Sequence, residues 1–468
     1  MSLTPEDALA ETDAQLARSP DDAELRYRRA GLLAALGDDQ AAREAYLAAL
    51  ALAPDHFGAL TDLAALLHRT DFRAAARTCY AEAVKHHPAN PLGHARLGEA
   101  LLAEGLHDQA RSHFETALRL SPDHADAHQG LANLLLDLGQ ADAAQPHLRR
   151  SAIGRGVTAL PYRGEGPPCR VLLLVSTAGG NVPTRFLLDE TMFQVFVLPV
   201  EAFRPDMALP AHDLVFNAVG DADLCGPAIE AAEAVLTNTS APVVNPPARI
   251  RPTGRMTIAE RLAGLPGVVA PRILATPRET VRQAARRFGY PLLLRSPGFH
   301  TGRYFRRIEN PSDLAEALAD LPGRQLLLIQ PLDARGPDGL WRKYRVMMVG
   351  GRLYPLHLAA SSDWKVHYFT ADMAERADQR EIEAAFLADM PAALGPRAMA
   401  GLEAIAERLG LDYGGIDFGL GPSGEVLLFE ANATMVVNPP DPDPRWDYRR
   451  APVERILSAV RAMLLASG

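Results

Sequence analysis

Small and apolar residues return every 34 positions through the first third of the chain. Pro20, Pro54, Pro88 and Pro122 keep that interval, as do Ala42, Ala76, Ala110 and Ala144, then Ala49, Ala83 and Ala117, then Tyr46, Tyr80 and Phe114. Gly37, Gly105 and Gly139 share the same register, with Asp71 in the slot between the first two. A period of this length holds two helices and a turn. Small residues let antiparallel helices approach, the aromatic fills the gap to the next pair, and proline stops each second helix. About four helix pairs are expected over residues 20–155, behind a leading helix at 5–18.

After residue 156 the pattern changes. "GRGVTALPYRGEGPPC" is rich in Gly and Pro and reads as a linker over 156–168. "RVLLLVSTAGGN", "MFQVFVLPVE" and "HDLVFNAVGDADL" supply apolar strands, "AIEAAEAVLTN" a helix and "PVVNPP" a further short strand. Residues 169–249 are therefore expected to form a small α/β layer domain. The turn "STAGGN" lacks the G-x-G-x-x-G pattern, which argues against a dinucleotide fold.

Near the C-terminal end, "GGIDFGLGPSGEVLLFEAN" spans 414–432. Two short β-type runs flank Gly-Pro-Ser-Gly, so the stretch reads as a hairpin. Alternation places Val426, Leu428, Glu430 and Asn432 on one face, which turns polar at its end. The spacing brings Asp417 toward Glu430 across the turn. Two carboxylates and an amide suit Mg²⁺, which also keeps waters and binds phosphates. The competing reading, a hairpin with acidic ends in solvent, is opposed by the apolar runs in which the carboxylates sit.

Composition narrows the picture. At 468 residues and 48% hydrophobic, the chain has material for two to four domains. A net charge of −9 disfavours a general nucleic-acid binder. Cys79, Cys169 and Cys225 have neither disulfide nor zinc spacing. "MSLTPEDALAETD" is acidic without an apolar core, and no run approaches a membrane span, so a soluble cytoplasmic protein is expected. Of 48 basic residues only Lys85, Lys343 and Lys365 are lysine, so arginine serves wherever a generic cation suffices. Lys343 and Lys365 become positions where an ammonium is required, although Lys343 beside Arg342 equally suits an exposed role.

The 34-residue period resembles the tetratricopeptide repeat, which implies an all-α solenoid over 1–155. Such arrays present a groove to a peptide or protein; an oligomerisation or spacing role, with a homo-oligomer, carries equal weight. The order of the remaining segments resembles the ATP-grasp superfamily of ligases, of the D-alanine ligase, glutathione synthetase and ribosomal-protein glutamate ligase types. The segments are "DLVFNAVGDADLCGPAIEAAEAVL", "VVNPP", "YPLLLRSPGFHTGRYF", "QLLLIQPLD", "YRVMMVGGRLYPLHLAASSDWKVH" and the terminal hairpin. The likeness implies an α/β pre-ATP-grasp domain at 169–249 and an α+β ATP-grasp fold at 250–468.

Residue by residue, the resemblance implies that Asp417, Glu430 and Asn432 hold two Mg²⁺ ions on the ATP phosphates, with Leu428 against the adenine. "IQPLD" becomes the hinge, with backbone groups near Gln330 and Leu332 on the adenine edge and Asp333 on the ribose. The loop "SPGFHTGRYF", through Gly298, Thr301 and Gly302, covers the phosphates. Arg345 is implied as a cation at the reacting phosphate, and Lys365 matches a basic position of the glutamate-ligase type. His367 stands where that type carries asparagine. Arg255 and Arg295 occupy places usually held by lysine, and they and Arg345 are candidates for the phosphates. His300 and His357 are candidates to assist proton transfer. Arg445, Arg449 and Arg450, after the hairpin, border either an acceptor pocket or a surface wrap. The implied reaction joins a carboxylate to an amine through an acyl phosphate. A phosphotransferase, or a repeat scaffold with a vestigial ATP site, are the rival readings.

Overall fold

The computed structural model describes residues 4–153, 156–299, 302–366, 371 and 373–468. The chain divides into two units, Met1–Ile153 and Gly154–Gly468.

The first unit is built from α1 (Pro5–Leu16) and four helix pairs. These are α2 (Ala23–Ala35) with α3 (Asp39–Leu52), α4 (Phe57–Arg69) with α5 (Arg73–His86), α6 (Pro91–Ala103) with α7 (His107–Leu120), and α8 (Ala125–Asp137) with α9 (Ala141–Ala152). The turn inside each pair needs a left-handed residue. Gly37, Gly105 and Gly139 supply it at φ 83°, 77° and 68°, and Asp71 fills the same slot at φ 66°, which aspartate tolerates better than most residues. Phe114 is fully buried, and a Cβ on Gly98 or Gly130 would fall 2.7 or 2.1 Å from its ring. A second 34-residue series appears at the helix N-caps. Asp22, His56, Asn90 and His124 each accept a backbone N–H of the helix that follows, satisfying donors that the first turn leaves open. Two imidazole pairs repeat as well. His94 meets His113 Nδ1 to Nδ1 at 3.0 Å and His128 meets His147 at 2.9 Å, while His94 and His128 turn Nε2 to the carbonyls of Pro88 and Pro122.

Among its described residues the second unit holds three sheets. The first has order β1-β3-β2-β4-β5, from β1 (Thr158–Ala159), β2 (Cys169–Val175), β3 (Phe193–Pro199), β4 (Leu214–Asn217) and β5 (Val243–Val244), parallel except for β1. From Val171 on, β2 reads as an unbroken apolar run because both faces of its parallel sheet are covered. The stretch expected as a linker gives this sheet its edge strand, with Leu160 N–H bonded to the Val195 carbonyl. Its Gly/Pro content disguises a strand held by main-chain bonds. Three helices, α10 (Gly226–Leu236), α11 (Pro247–Ile250) and α12 (Arg255–Leu262), lead on to β6 (Val268–Val269).

The second sheet is antiparallel, β7-β10-β8-β9, from β7 (Ile273–Pro277), β8 (Leu292–Arg295), β9 (Phe305–Ile308) and β10 (Gln325–Ile329), with α13 (Val281–Phe288) and α14 (Pro311–Asp320). It has its own core around Leu292, Leu294, Ile308, Leu326 and Leu328. The third sheet has order β12-β11-β13-β14-β6, from β11 (Trp341–Val349), β12 (Arg352–Ser361), β13 (Tyr413–Leu420) and β14 (Val426–Asn432). With it go α15 (Ala377–Ala388), α16 (Met390–Leu409) and α17 (Arg450–Ser467).

The first and third sheets share one apolar core and a polar clasp. Asn245, fully buried at φ 54°, donates its side chain to the Tyr413 carbonyl at 2.8 Å and accepts from the N–H groups of Asp412 and Tyr413 at 2.9 and 3.0 Å. That clasp fixes the start of β13, and with it the site.

Candidate active site

Register across the third sheet brings four side chains into one row. His357 on β12 faces Arg345 on β11, Arg345 faces Asp417 on β13, and Asp417 faces Glu430 on β14. A register shift follows the row on both sides, between Arg345 and Val346 and between Asp417 and Phe418. Bulges of this kind re-aim side chains. On β14 the shift lets Leu428, Phe429 and Glu430 all line the same cavity. Strict alternation sends Phe429 to the opposite face, and the extra residue in the bulge is why it does not go there.

Asp417 is buried at 3% exposure. Arg345 grips it with Nε on Oδ1 at 2.5 Å and Nη2 on Oδ2 at 2.7 Å, and Lys343 Nζ adds a contact at 3.2 Å. Burial alone raises the carboxyl's pKa, but Arg345 and Lys343 more than reverse this, so Asp417 is held as an anion far below the usual carboxylate range. Glu430 receives Arg255 Nη2 at 2.7 Å and Asn432 Nδ2 at 2.9 Å. Burial pushes its pKa up, Arg255 and Arg295 pull it down, and the net shift is downward. The Asn432 side-chain oxygen Oδ1 accepts from the N–H and hydroxyl of Thr434, both at 3.0 Å. His357, 5% exposed, is kept neutral: burial first, then the charges of Arg345 and Lys343, push its pKa well below the ordinary imidazole value.

These groups line a cavity of about 850 Å³ whose walls come from both the second and the third sheet. A smaller one of about 40 Å³ adjoins it and shares Arg255, Arg295 and Glu430. Arg295 is buried, donates to the Phe299 carbonyl and lies 5.4 Å from the centre of the Phe305 ring. Burial and the neighbouring Arg255 push its pKa down to about 10. Lys365 is shifted down as well, by burial and by the nearby Arg306 and Arg295. Among the described residues neither Arg295 nor Lys365 has a carboxylate in ion-pair contact. A Cβ on Gly302, at φ 71°, would sit 2.5 Å from Lys365 Cε, so glycine is needed for the lysine to lie there.

The other expected residues divide. Gln330, Leu332 and Leu428 line the larger cavity and Gly298 the smaller. The Gln330 N–H is already bonded to the Arg272 carbonyl at 2.9 Å, which leaves its carbonyl as the group to meet a ligand. Asp333 is not among the lining residues, because Arg335, two positions on, binds its carboxylate at 2.5 Å and holds it at the exposed surface. Thr301, His300 and His367 lie outside the described residues. Arg449 lines the cavity, whereas Arg445 and Arg450 pair with Asp443 and Asp447 away from it.

Three features went unforeseen. The glycine turn of the first sheet reaches the cavity through Gly180 and Asn181. Asp223 accepts the N–H of Arg255 at 3.0 Å and seats the helix that carries this arginine. All three tryptophans of the chain, Trp341, Trp364 and Trp446, line this cavity; their scarcity was as visible as that of lysine.

A magnesium ion takes oxygen ligands. Among the described residues no three His, Cys, Asp or Glu side chains form a metal cluster; the donors here are two carboxylates and an amide. Asp417 and Glu430 face each other on adjacent strands as anions, each balanced by cationic side chains that occupy the place of a metal's charge. The chemistry of that set fits a hard divalent cation.

Residues 5–57, 62–125 and 101–152 match models of the tetratricopeptide repeat, and the helix pairs of the first unit are repeats of that type. No curated protein matches the chain. Among solved structures, MamA from Desulfovibrio magneticus RS-1 is similar over 31% of this chain and 83% of its own, at 25% identity and a TM-score of 0.29. YrrB, described as a TPR protein with an unusual peptide-binding site, is similar over 30% and 73%, at 18% identity and 0.27. The VanG D-Ala:D-Ser ligase from Enterococcus faecalis is similar over 64% of this chain and 99% of its own, at 13% identity and 0.42. Among the described residues no helix is long and apolar enough to cross a membrane.

Proposed function

We propose that the unit following the tetratricopeptide repeats is an ATP-dependent ligase of the ATP-grasp type, joining a carboxylate to an amine with release of ADP and phosphate. The observation that carries this reading is the row Arg345, Asp417, Glu430 facing a cavity in which Arg295 and Lys365 stand without carboxylate partners among the described residues. Arg295 is buried and Lys365 half-buried, and cations withdrawn from water without a partner are costly unless an anion completes them; a triphosphate is such an anion.

In this reading the base lies between Leu428 and the Gln330 to Leu332 segment, and the phosphates lie toward Arg255, Arg295 and Lys365. Asp417, Glu430 and Asn432 are the residues that would hold magnesium, which when bound would supply charge neutralisation and orientation of the phosphates. For Glu430 to take part, Arg255 turns from its carboxylate to a phosphate, a move its planar fork suits. A substrate carboxylate oxygen attacks the γ-phosphorus, the bond to the β-phosphate oxygen breaks, and ADP leaves. Arg345, pinned by Asp417, stands beside the transferred group. The amine then attacks the acyl carbon and phosphate departs. The departing phosphate carries off the proton that the amine gives up, while His357, a neutral imidazole on the same floor, stays uncharged beside Arg345. Positioning and electrostatics supply most of the rate.

The repeat array in this proposal recruits the peptide or protein partner that delivers or receives the joined group. The test is ADP and phosphate release that requires a carboxylate and an amine together. Glu430→Gln removes one charge from the metal position at nearly constant shape and is expected to reduce turnover by roughly 10²-fold or more. A variant that keeps most of its turnover refutes the metal assignment. Phosphate that stays on the acceptor makes the unit a phosphotransferase.

A further inference from the structure

The row of side chains does not stop at His357. β12 is the edge of its sheet, and an edge strand presents N–H groups that need partners. Leu358 N–H finds one in Glu383 of α15, at 3.2 Å on Oε1. Glu383 is fully buried; its Oε2 accepts the Tyr448 hydroxyl at 2.5 Å, and its Oε1 meets Arg449 Nε at 3.3 Å. One buried carboxylate thus seals the sheet edge and carries an arginine beyond it. Arg449 is 7% exposed, lies 5.9 Å from the centre of the Trp446 ring, and lines the cavity with Trp446 and Asn438. It borders the end of the floor away from the Gln330 to Leu332 segment, past His357.

Charge supports a second anion there. Among the described residues eight lysine or arginine side chains line the cavity against three carboxylates, in a chain whose net charge is −9. Three of the eight, Arg307, Arg342 and Arg449, lean on carboxylates that do not line it, namely Glu309, Asp338 and Glu383. Among the described residues cations remain in excess even after those are counted. Clefts lined by one sign of charge concentrate ligands of the other.

Resting on the ligase reading, we infer that Arg449, with Asn438 and Trp446, anchors a second, non-reacting carboxylate of the substrate, so that this ligase acts on an acidic peptide. Two strand steps, about 10 Å, separate Asp417 from His357, and Arg449 stands beyond, so the two carboxylates belong to an extended molecule. Glu383 fixes the guanidinium before the ligand arrives, which lowers the ordering cost of a bidentate arginine–carboxylate pair.

The probes are L-glutamyl-L-glutamate and the tripeptide of L-glutamate against their side-chain amides, L-glutaminyl-L-glutamine and the tripeptide of L-glutamine. All three tryptophans line this cavity, so intrinsic fluorescence of the full-length protein reports binding, with MgADP present and absent. The acids are expected to bind at least about tenfold more tightly than the amides. Arg449→Lys keeps the charge against Glu383, so folding is preserved and confirmed by melting; it is expected to abolish the preference while leaving MgATP affinity within about twofold. Glu82→Gln, at an exposed pair with Lys85 in the repeat unit, serves as the unaffected control. Equal binding of acids and amides, no binding of either, or an acid preference that survives in Arg449→Lys overturns the inference. MgATP titration separates the two proposals. ATP binding without acid preference sinks the anchor and spares the ligase, whereas acid preference without ATP binding does the reverse.

Discussion

Asp417→Asn probes the most heavily compensated group in the molecule. The amide keeps the shape of the carboxylate but loses the charge on which Arg345 and Lys343 converge at 2.5 to 3.2 Å. The side chains of both cations are more than four-fifths buried, so neither recovers full hydration. Breaking a buried pair by removing one partner costs about 3–5 kcal/mol, mostly the penalty on the charge left behind. For a unit of this size that lowers the melting temperature by roughly 5–10 °C. The repeat unit, which does not contain Asp417, provides an internal control: its helical transition stays where it is. The native carboxyl lies far below its unfolded value of about 3.9. Its contribution is therefore complete above that value and is lost only as pH falls toward the native one. The difference between wild type and variant should be flat from about pH 5 to pH 8. Scanning calorimetry across that range checks both size and slope. A loss under about 1 kcal/mol, or a difference that changes across the range, refutes the claim that Asp417 holds the two cations.

Lys365→Arg is expected to lower kcat/KM by about tenfold or more, because the larger fork cannot lie against Gly302. Lys85→Arg, at an exposed pair with Glu82, should change nothing, and equal tolerance in steady-state kinetics would detach lysine scarcity from the site. Burial foremost depresses the pKa of His113, His128 and His147, with His94 beside the first and His128 and Arg150 beside the last adding to it. The unfolded chain takes up protons first, so the repeat unit is most stable above about pH 6.5 and weakens below it, by at most about 1.4 kcal/mol per pH unit for each imidazole; a flat circular-dichroism melting profile from pH 7.5 to 5 would refute this. Removing residues 1–155 while keeping β1 should leave MgATP affinity unchanged and raise KM for a substrate recruited by the array; loss of ATP binding in calorimetric titration would show that the repeats build the nucleotide site.

The repeat period was legible because every unit solves the same packing problem with the same small residues. The N-cap series was not, since Asp, His and Asn satisfy one backbone donor with different atoms. The hairpin of 414–432 announced itself, yet the bulge at Leu428 and Phe429 did not, because nothing in an alternating run marks where one residue will be left unpaired. Arg255 and Glu430 are 175 positions apart, and their contact depends on Asp223 seating a helix, a three-body arrangement that no local spacing displays. Asp333 could have been read better: an arginine two positions along is a nearer partner than any ligand.

The separate core of the β7–β10 sheet sets how the protein breathes. Its Leu292, Leu294 and Leu328 pack with neighbours of their own sheet and helices, apart from the large core that Asn245 helps to clasp. A small core opens at lower cost than a large one. Amide hydrogens of residues 273–299 and 302–329 are therefore expected to be the first in the second unit to exchange with solvent, as one cooperative block. A ligand touching Arg295 on one side and Glu430 on the other couples that block to the rest, so its arrival is readable as a delay in exchange far from any atom it contacts.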